Sequence, residues 1–327
     1  MSIIENGPIF IGGVSRSGKT LLSALLSLHS NIAIPPKGTN LWNFFLNKYG
    51  DLNWKHNFER CLSDMLRYRH IRCLDPNPNR IRKEFSLGQR SYSNLFALFH
   101  RHYADRLGKP RWGVQSGFIE AYSKVIFQEF PRAKMIHLIR DPRDRFASLI
   151  LMSPEVLNKI GPNTANWIYS VYLAQKNSKR YSENYKIVLY EKLVLYPEET
   201  LRDIGIFLNE SFSSTCSEFT NAPEFLEKHG RLTQNYIGHY PNILSKSDIA
   251  FIQRFSKRYM LANGYELETI RFPVNTEMVI DFKRRITDFT HLTGWMLIET
   301  LRLKFPSLLS RTIASKKIQP VSGNISE

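Results

Sequence analysis

A chain of 327 residues, 43% hydrophobic and 13% aromatic, carries enough apolar side chains for a full core, which excludes a disordered or fibrous protein. Its 45 Lys and Arg against 29 Asp and Glu leave a formal charge of +16, which favours anionic partners: nucleotides, phosphorylated or sulfated molecules, acidic lipid surfaces or nucleic acid. Cys61, Cys73 and Cys216 are odd in number and lack metal-ligand spacing, so they read as reduced packing thiols in a reducing compartment. Met1 to Gly7 show no signal-peptide pattern, and no run reaches the ~18–20 apolar residues that span a bilayer. A soluble, cytoplasmic protein is the expectation.

In chain order, 8–12 predicts a strand, 13–18 a Gly-rich turn and 19–29 a helix. Gly13 to Thr20 (Gly-Val-Ser-Arg-Ser-Gly-Lys-Thr) fit the phosphate-loop pattern Gly-x4-Gly-Lys-[Ser/Thr]. Ile32-Ala33-Ile34 is extended and runs into the loop Pro35-Pro36-Lys37-Gly38-Thr39-Asn40. Residues 41–109 read as largely helical, broken at 74–79, and 116–128 suggests another helix. Ala133 to Ile139 is a buried strand that ends in Arg140-Asp141-Pro142-Arg143-Asp144 and passes into a helix over 143–151. A helix over 162–183, a strand over 185–190 and a helix from about 198 to 208 follow. Strands alternating with helices predict an α/β fold with a parallel sheet, in which ligands sit beyond the carboxyl ends of the strands. Gly13–Thr20, Arg140–Ser148 and Tyr190 would all lie there.

The tail differs. Val279, Phe282, Ile286, Phe289, Met296 and Leu301 recur at near-helical spacing among Lys283, Arg284, Arg285, Arg302 and Lys304. The acids Glu277, Asp281, Asp288 and Glu299 interrupt the positive face. Residues 271–327 are therefore expected to form a basic amphipathic helical extension, either packed on the domain or touching a membrane surface through 276–317. No module for nucleic acid is present in the sequence, and none is expected as a partner.

Two constellations carry chemistry. In the first loop, glycines let amides curl around an anion, the helix N-terminus adds its dipole, and Arg16 and Lys19 bring two cations to a transferring group. In the second, Arg140 at a strand end and Ser148 two helical turns on can meet one anion by a guanidinium fork and a hydroxyl. An Arg-Asp-Pro turn also serves as a plain helix cap with surface ion pairs.

These stretches resemble the sulfotransferases that use 3′-phosphoadenosine 5′-phosphosulfate (PAPS). Gly13–Thr20 looks like their 5′-phosphosulfate loop, usually Arg-Ser-Gly-Thr-Thr, and Phe130–Asp144 with Ser148 looks like their 3′-phosphate segment. Tyr190-Glu191-Lys192-Leu193, Pro197-Glu198 and Phe207-Leu208 are similar to the family's Tyr-Glu-Asp-Leu…Pro-Glu…Phe-Leu stretch. Ile237-Gly238-His239-Tyr240 resembles a late nucleotide-closing loop, and Asn263-Gly264-Tyr265 the end of the domain. The resemblance implies a three-layer P-loop-like fold over 1–270, with 41–109 as a helical insertion on the acceptor side. It implies PAPS as donor, adenosine 3′,5′-bisphosphate as product and no metal. Arg16, Ser17, Gly18, Lys19 and Thr20 would hold the 5′-phosphosulfate, Arg140 and Ser148 the 3′-phosphate, with Tyr190 and Gly238 beside the nucleotide. Arg16 and Lys19 would act on the transferring group.

Three departures stand out. Lys19 replaces a common Thr and gives the loop a kinase-like spelling. Lys37 occupies the Pro-Pro-Glu-Thr position where relatives carry a basic Glu. Gln115, in Trp112-Gly113-Val114-Gln115-Ser116, replaces the Lys of Trp-Gly-x-Lys-Thr. The catalytic base is thus unassigned. His29, Asp75, Glu84, His100, His102, Glu120 and His137 are conceivable replacements, and Lys37 is a candidate base or a contact for an anionic acceptor. The expected acceptor is a hydroxyl (or an amine) on a carbohydrate, lipid or small metabolite. Trp42, Phe44, Phe45, Trp54 and Tyr68 could stack on its rings or simply pack. The rival functions are a nucleotide-dependent kinase, which needs magnesium and has only Asp141 as a strand-end ligand, and a nucleotide-binding relative without catalysis.

Overall fold

A computed structural model describes residues 7–157, 159–212, 236–270, 286–295, 297–298 and 301. Cys216, Val279, Phe282, Lys283 to Arg285, Glu277, Asp281, Met296, Glu299, Arg302 and Lys304 lie outside them.

Five strands form one parallel sheet in the order β2-β3-β1-β4-β5: β1 (Ile9–Gly12), β2 (Ile32–Ala33), β3 (Arg111–Gln115), β4 (Lys134–Ile139) and β5 (Tyr185–Leu189). The near-continuous apolar runs of β1 and β4 suit a parallel sheet covered on both faces. Helix α1 (Lys19–Ser27) and helices α9 (Tyr190–Leu195) and α10 (Pro197–Leu208) cover one face. There Ile9, Ile11, Ile136 and Leu138 meet Leu22, Leu26, Leu201 and Ile204. Side chains alternate along a strand, so Phe10 points the other way and packs edge-on against Trp42 (5.3 Å) and Trp112 (5.7 Å).

That second face carries α2 (Leu41–Phe45), α3 (Lys55–Arg67), α4 (Pro78–Leu87), α5 (Tyr92–Arg106), α6 (Ser123–Glu129) and α8 (Ile160–Arg180). Helix α7 (Pro142–Met152) follows β4, and α11 (Lys246–Ala262) packs on α7 and α8. The three-layer α/β architecture matches the expectation. β3 is not among the strands the periodicity predicts. The helix predicted over 116–128 is shortened to a 3-10 turn (Ile119–Tyr122) and α6, because Phe118 is left-handed (φ 56°) and Asn43 takes the Gly117 carbonyl at 2.6 Å.

Part of the tail packs on the domain. The segment 286–295 is helical, its Leu292 is buried, and Trp295 lies against Tyr169 (6.0 Å) and Phe118 (5.8 Å). Among the described residues no helix is long and apolar enough to cross a membrane.

Candidate functional site

The site forms where β1, β3, β4 and β5 end together. β1 runs into the loop 13–18, whose start presses on β4: a Cβ on Gly13 (φ +112°) would meet the Leu138 carbonyl at 2.4 Å. Gly18 (φ +96°) is the N-cap of α1, and no side chain among the described residues caps that end. The first amides of α1 therefore face the loop's concavity, where an anion is favoured. Lys19 bends back and donates to the Gly13 (2.7 Å) and Val14 (2.6 Å) carbonyls. Burial lowers its pKa to about 8, against the opposing pull of Glu120 and with help from Arg145 and Arg16. Thr20 faces Gln115 at 3.5 Å.

A second set of groups stands beside the loop. Arg16, itself left-handed (φ 68°), donates through Nε to Ser148 Oγ at 2.9 Å. Arg140 is buried, donates to the Arg16 carbonyl (3.1 Å) and the Tyr236 carbonyl (2.8 Å), and stacks over the Tyr190 ring at 4.4 Å. Its Nε is buried and has no partner among the described residues. The Tyr190 ring in turn covers Gly18, where a Cβ would come within 2.4 Å of Cδ2. Arg16, Lys19, Ser148, Arg140 and Tyr190 thus form one cluster around the loop. Gly238 (φ +67°) sits at its edge and gives its N–H to Asp144 Oδ2 at 2.7 Å. Ser17 Oγ donates to the Val14 carbonyl and shapes the loop from inside.

Three further residues of this frame sit in or beside the quoted motifs, but no sequence signal gives their roles, since their partners lie far along the chain. Asp144 pins the 237–240 loop through the amides of Gly238 and Tyr240. Arg145 is fully buried and donates to the carbonyls of Ser15 (3.0 Å) and Asn163 (2.9 Å), and burial lowers its pKa to about 9. Glu191 accepts from the Asp141 amide at 2.9 Å. Asp141 itself caps α7 and takes the Arg143 fork at 3.0 and 2.7 Å. Both of its oxygens are committed, so it is not placed as a strand-end magnesium ligand.

Next to the phosphate loop lies the loop 35–40. Gln115 joins it to the phosphate loop: Nε2 donates to the Pro36 carbonyl (3.0 Å) while Oε1 faces Thr20. Lys37 is exposed at the rim. The other base candidates have partners that tie them elsewhere. His29 touches the Ser211 carbonyl at the far end of α1, Asp75 pairs with Arg106, and Glu84 pairs with Arg80 and His102. His100 donates to the Phe96 carbonyl, accepts from Thr39, and is held neutral by burial, its pKa lowered to about 4. His137 lies inside the sheet against Tyr185 and Ser170. Glu120 is buried against the loop and accepts from the Gly13 amide at 3.2 Å. Trp42 and Phe45 are core, Phe44 and Tyr68 pair at 5.7 Å, and Trp54 is exposed.

Comparison with known proteins gives the family and the fold. The chain is 23% identical over 225 residues to a protein-tyrosine sulfotransferase of Drosophila melanogaster, covering 66% of this chain and 41% of that protein. It is 26% identical over 209 residues to protein-tyrosine sulfotransferase A of Caenorhabditis elegans, covering 62% and 49%. It thus spans less than half the length of these curated relatives. Its fold resembles the sulfotransferase domain from the Synechococcus PCC 7002 olefin synthase, with a TM-score of 0.52, 18% identity, and coverage of 82% of this chain and 99% of that one. The profile described as the sulfotransferase family matches residues 8–214, from β1 through α10, and the chain belongs to that family.

Proposed function

We propose that this chain binds PAPS and moves its sulfuryl group in line to an acceptor hydroxyl, with an amine as the lesser alternative. The observation that carries this is the buried Arg140 Nε, without a partner among the described residues, beside the Arg16–Ser148 pair. A donor with a phosphate only on its 5′ side would leave that donor group unmet, and an unmet buried N–H costs about 1–3 kcal/mol. The loop amides from Ser17 to Thr20, with Lys19, would hold the 5′-phosphosulfate. Arg140 and Ser148 would hold the 3′-phosphate, Arg16 lies between the two, and Tyr190 and the Gly238 loop border the nucleotide. In the transfer the acceptor O–S bond forms as the bond from sulfur to the bridging phosphate oxygen breaks, the acceptor proton leaves, and adenosine 3′,5′-bisphosphate departs. Arg16 and Lys19 would offset charge on the equatorial and leaving oxygens.

Lys37, as the neutral amine, is the candidate proton acceptor on the acceptor side, becoming the ammonium as the acceptor hydroxyl loses its proton. The acceptor classes are carbohydrate, lipid and small-metabolite hydroxyls, and the names of the two curated relatives add a phenolic hydroxyl. We take 1–270 as the working unit, with 41–109 shaping the acceptor side and 271–327 as an appended segment. A second reading, nucleotide binding without transfer, is favoured by Gln115, whose amide is engaged at both ends where a cation would act on the sulfuryl group. Titration calorimetry on the full chain tests the donor assignment. Adenosine 3′,5′-bisphosphate binds more tightly than ATP–magnesium if the assignment is right, and the reverse order overturns it.

A further inference from the structure

Glu120 is a buried carboxylate beneath the phosphate loop, and the transfer chemistry above does not use it. Its side chain is fully buried. Oε2 accepts from the Gly13 amide at 3.2 Å and Oε1 from Ser170 Oγ at 2.5 Å. It lies so close under the loop that a Cβ on Gly12 would come within 2.9 Å of Oε2. The turn that carries it is anchored from α8, where Asn177 donates to the Glu120 carbonyl at 2.8 Å. From β4 it faces His137, with Nδ1 at 4.0 Å, whose imidazole is kept neutral by burial and which Tyr185 of β5 meets at 3.0 Å. Lys19 of α1 donates to the Gly13 carbonyl at 2.7 Å, so Glu120 and Lys19 hold the same loop residue, one by its amide and the other by its carbonyl. No Arg or Lys forms an ion pair with Glu120 among the described residues.

Burying a carboxylate away from any direct cationic partner is costly, so its retention here calls for a compensating group. Lys19 is that group. It is a cation under partial burial, crowded by Arg145 and Arg16, and Glu120 is the negative charge that opposes them. We propose that Glu120 is a positioning residue for donor binding: its carboxylate fixes the first amide of the phosphate loop and supplies the counter-charge that keeps Lys19 cationic under the donor. The role rests on the donor assignment above, but the charge coupling can be read without any donor.

The test uses the full chain and Glu120→Gln, which keeps the shape and an oxygen for the Gly13 amide while removing the charge. In the nucleotide-free chain, NMR of 13C-labelled lysine, with Lys19 assigned from Lys19→Arg, follows the titration of the ammonium directly. The expected midpoint is about 8 in the native chain. It falls by about one pH unit in Glu120→Gln, the scale of shift that one nearby opposite charge produces. In parallel, calorimetry with adenosine 3′,5′-bisphosphate from pH 6.5 to 9.5 shows the alkaline loss of affinity beginning about one unit earlier in the variant. A merely structural role weakens binding equally at every pH and leaves the Lys19 midpoint in place, and either result overturns the proposal. Should Glu120→Gln fail to fold, the native chain still decides: a Lys19 already neutral at pH 7 overturns it. A native chain that does not bind the bisphosphate contradicts the donor assignment instead, and the Lys19 midpoints still test Glu120.

Discussion

Replacing Arg140 by alanine distinguishes the two proposed phosphate sites. The native guanidinium already spends one terminal nitrogen on the Arg16 carbonyl and the other on the Tyr236 carbonyl, leaving Nε as a buried donor without a partner among the described residues. A 3′-phosphate meeting Nε makes a charge-assisted hydrogen bond of about 1.5–3 kcal/mol and relieves an unsatisfied donor that costs about 1–3 kcal/mol. Allowing for overlap between these two terms, the loss in Arg140→Ala is about 3 kcal/mol, or roughly a hundredfold in affinity for adenosine 3′,5′-bisphosphate. Adenosine 5′-phosphate, which reaches only the first loop, weakens by no more than about threefold, the scale of a half-kilocalorie perturbation. Calorimetry with both nucleotides on the native chain, Arg140→Ala and Arg140→Lys gives the comparison. The lysine variant keeps the charge but not the fork and falls between the other two. Thermal melting of each variant checks that release of the Tyr236 carbonyl and the Tyr190 ring has not unfolded the edge of the site. Equal losses for the two nucleotides refute the assignment of Arg140 to a 3′-phosphate.

Gly18→Ala forces a Cβ to within 2.4 Å of the Tyr190 ring at a φ of +96°, so it abolishes nucleotide binding, whereas Gly108→Ala, at φ +65° with open space, costs only about 1 kcal/mol of stability and leaves binding intact. Calorimetry and melting curves read both, and a nucleotide-competent Gly18→Ala contradicts the packing of Tyr190 on the loop. The His100 imidazole titrates at about 4 in the fold against 6.5 in the free side chain. It therefore contributes stability that is whole above about pH 6.5 and is lost as pH falls toward 4, roughly 3 kcal/mol at 1.36 kcal/mol per unit. Urea midpoints across that range fall more steeply for the native chain than for His100→Gln, and equal slopes contradict the burial of a neutral imidazole. Lys37→Ala changes bisphosphate affinity by no more than about twofold, as an exposed substitution should, and acts on transfer alone. A larger loss of affinity places Lys37 on the donor instead.

Much of this site is written in local sequence. β1 and β4 are apolar runs feeding a Gly-rich turn and an Arg-Asp-Pro cap, so Gly13–Thr20 and Arg140–Ser148 reveal the sheet and the strand ends where the candidate site lies. β3 is not legible in the same way. Arg111-Trp112-Gly113-Val114-Gln115 mixes a charge, a glycine and an amide, and its burial depends on Glu210, which meets Arg111 at 3.0 Å from far along the chain. Helix α11 does carry a local start signal, Ser245 capping the Asp248 amide, but without the periodic strand-helix context that makes the earlier elements plain. The base candidates show the sharper limit. Glu120, His100 and His137 are chemically apt, yet residue type says nothing about which side of the loop a side chain occupies. Arg145 and Asp144 sit inside a recognisable motif, but their partners, Ser15 and Gly238, lie 130 and 94 residues away. Only the fold brings these pairs together.

The most direct measurement is transfer itself. The full chain is incubated with PAPS carrying labelled sulfur and a panel of phenolic, sugar and amine acceptors, and both labelled product and adenosine 3′,5′-bisphosphate are quantified. Sulfuryl transfer predicts label on an acceptor hydroxyl and one bisphosphate released for each, with Arg140→Ala and Lys19→Ala strongly impaired. Tight bisphosphate binding with no label on any acceptor, or phosphoryl transfer from ATP–magnesium in its place, would contradict it.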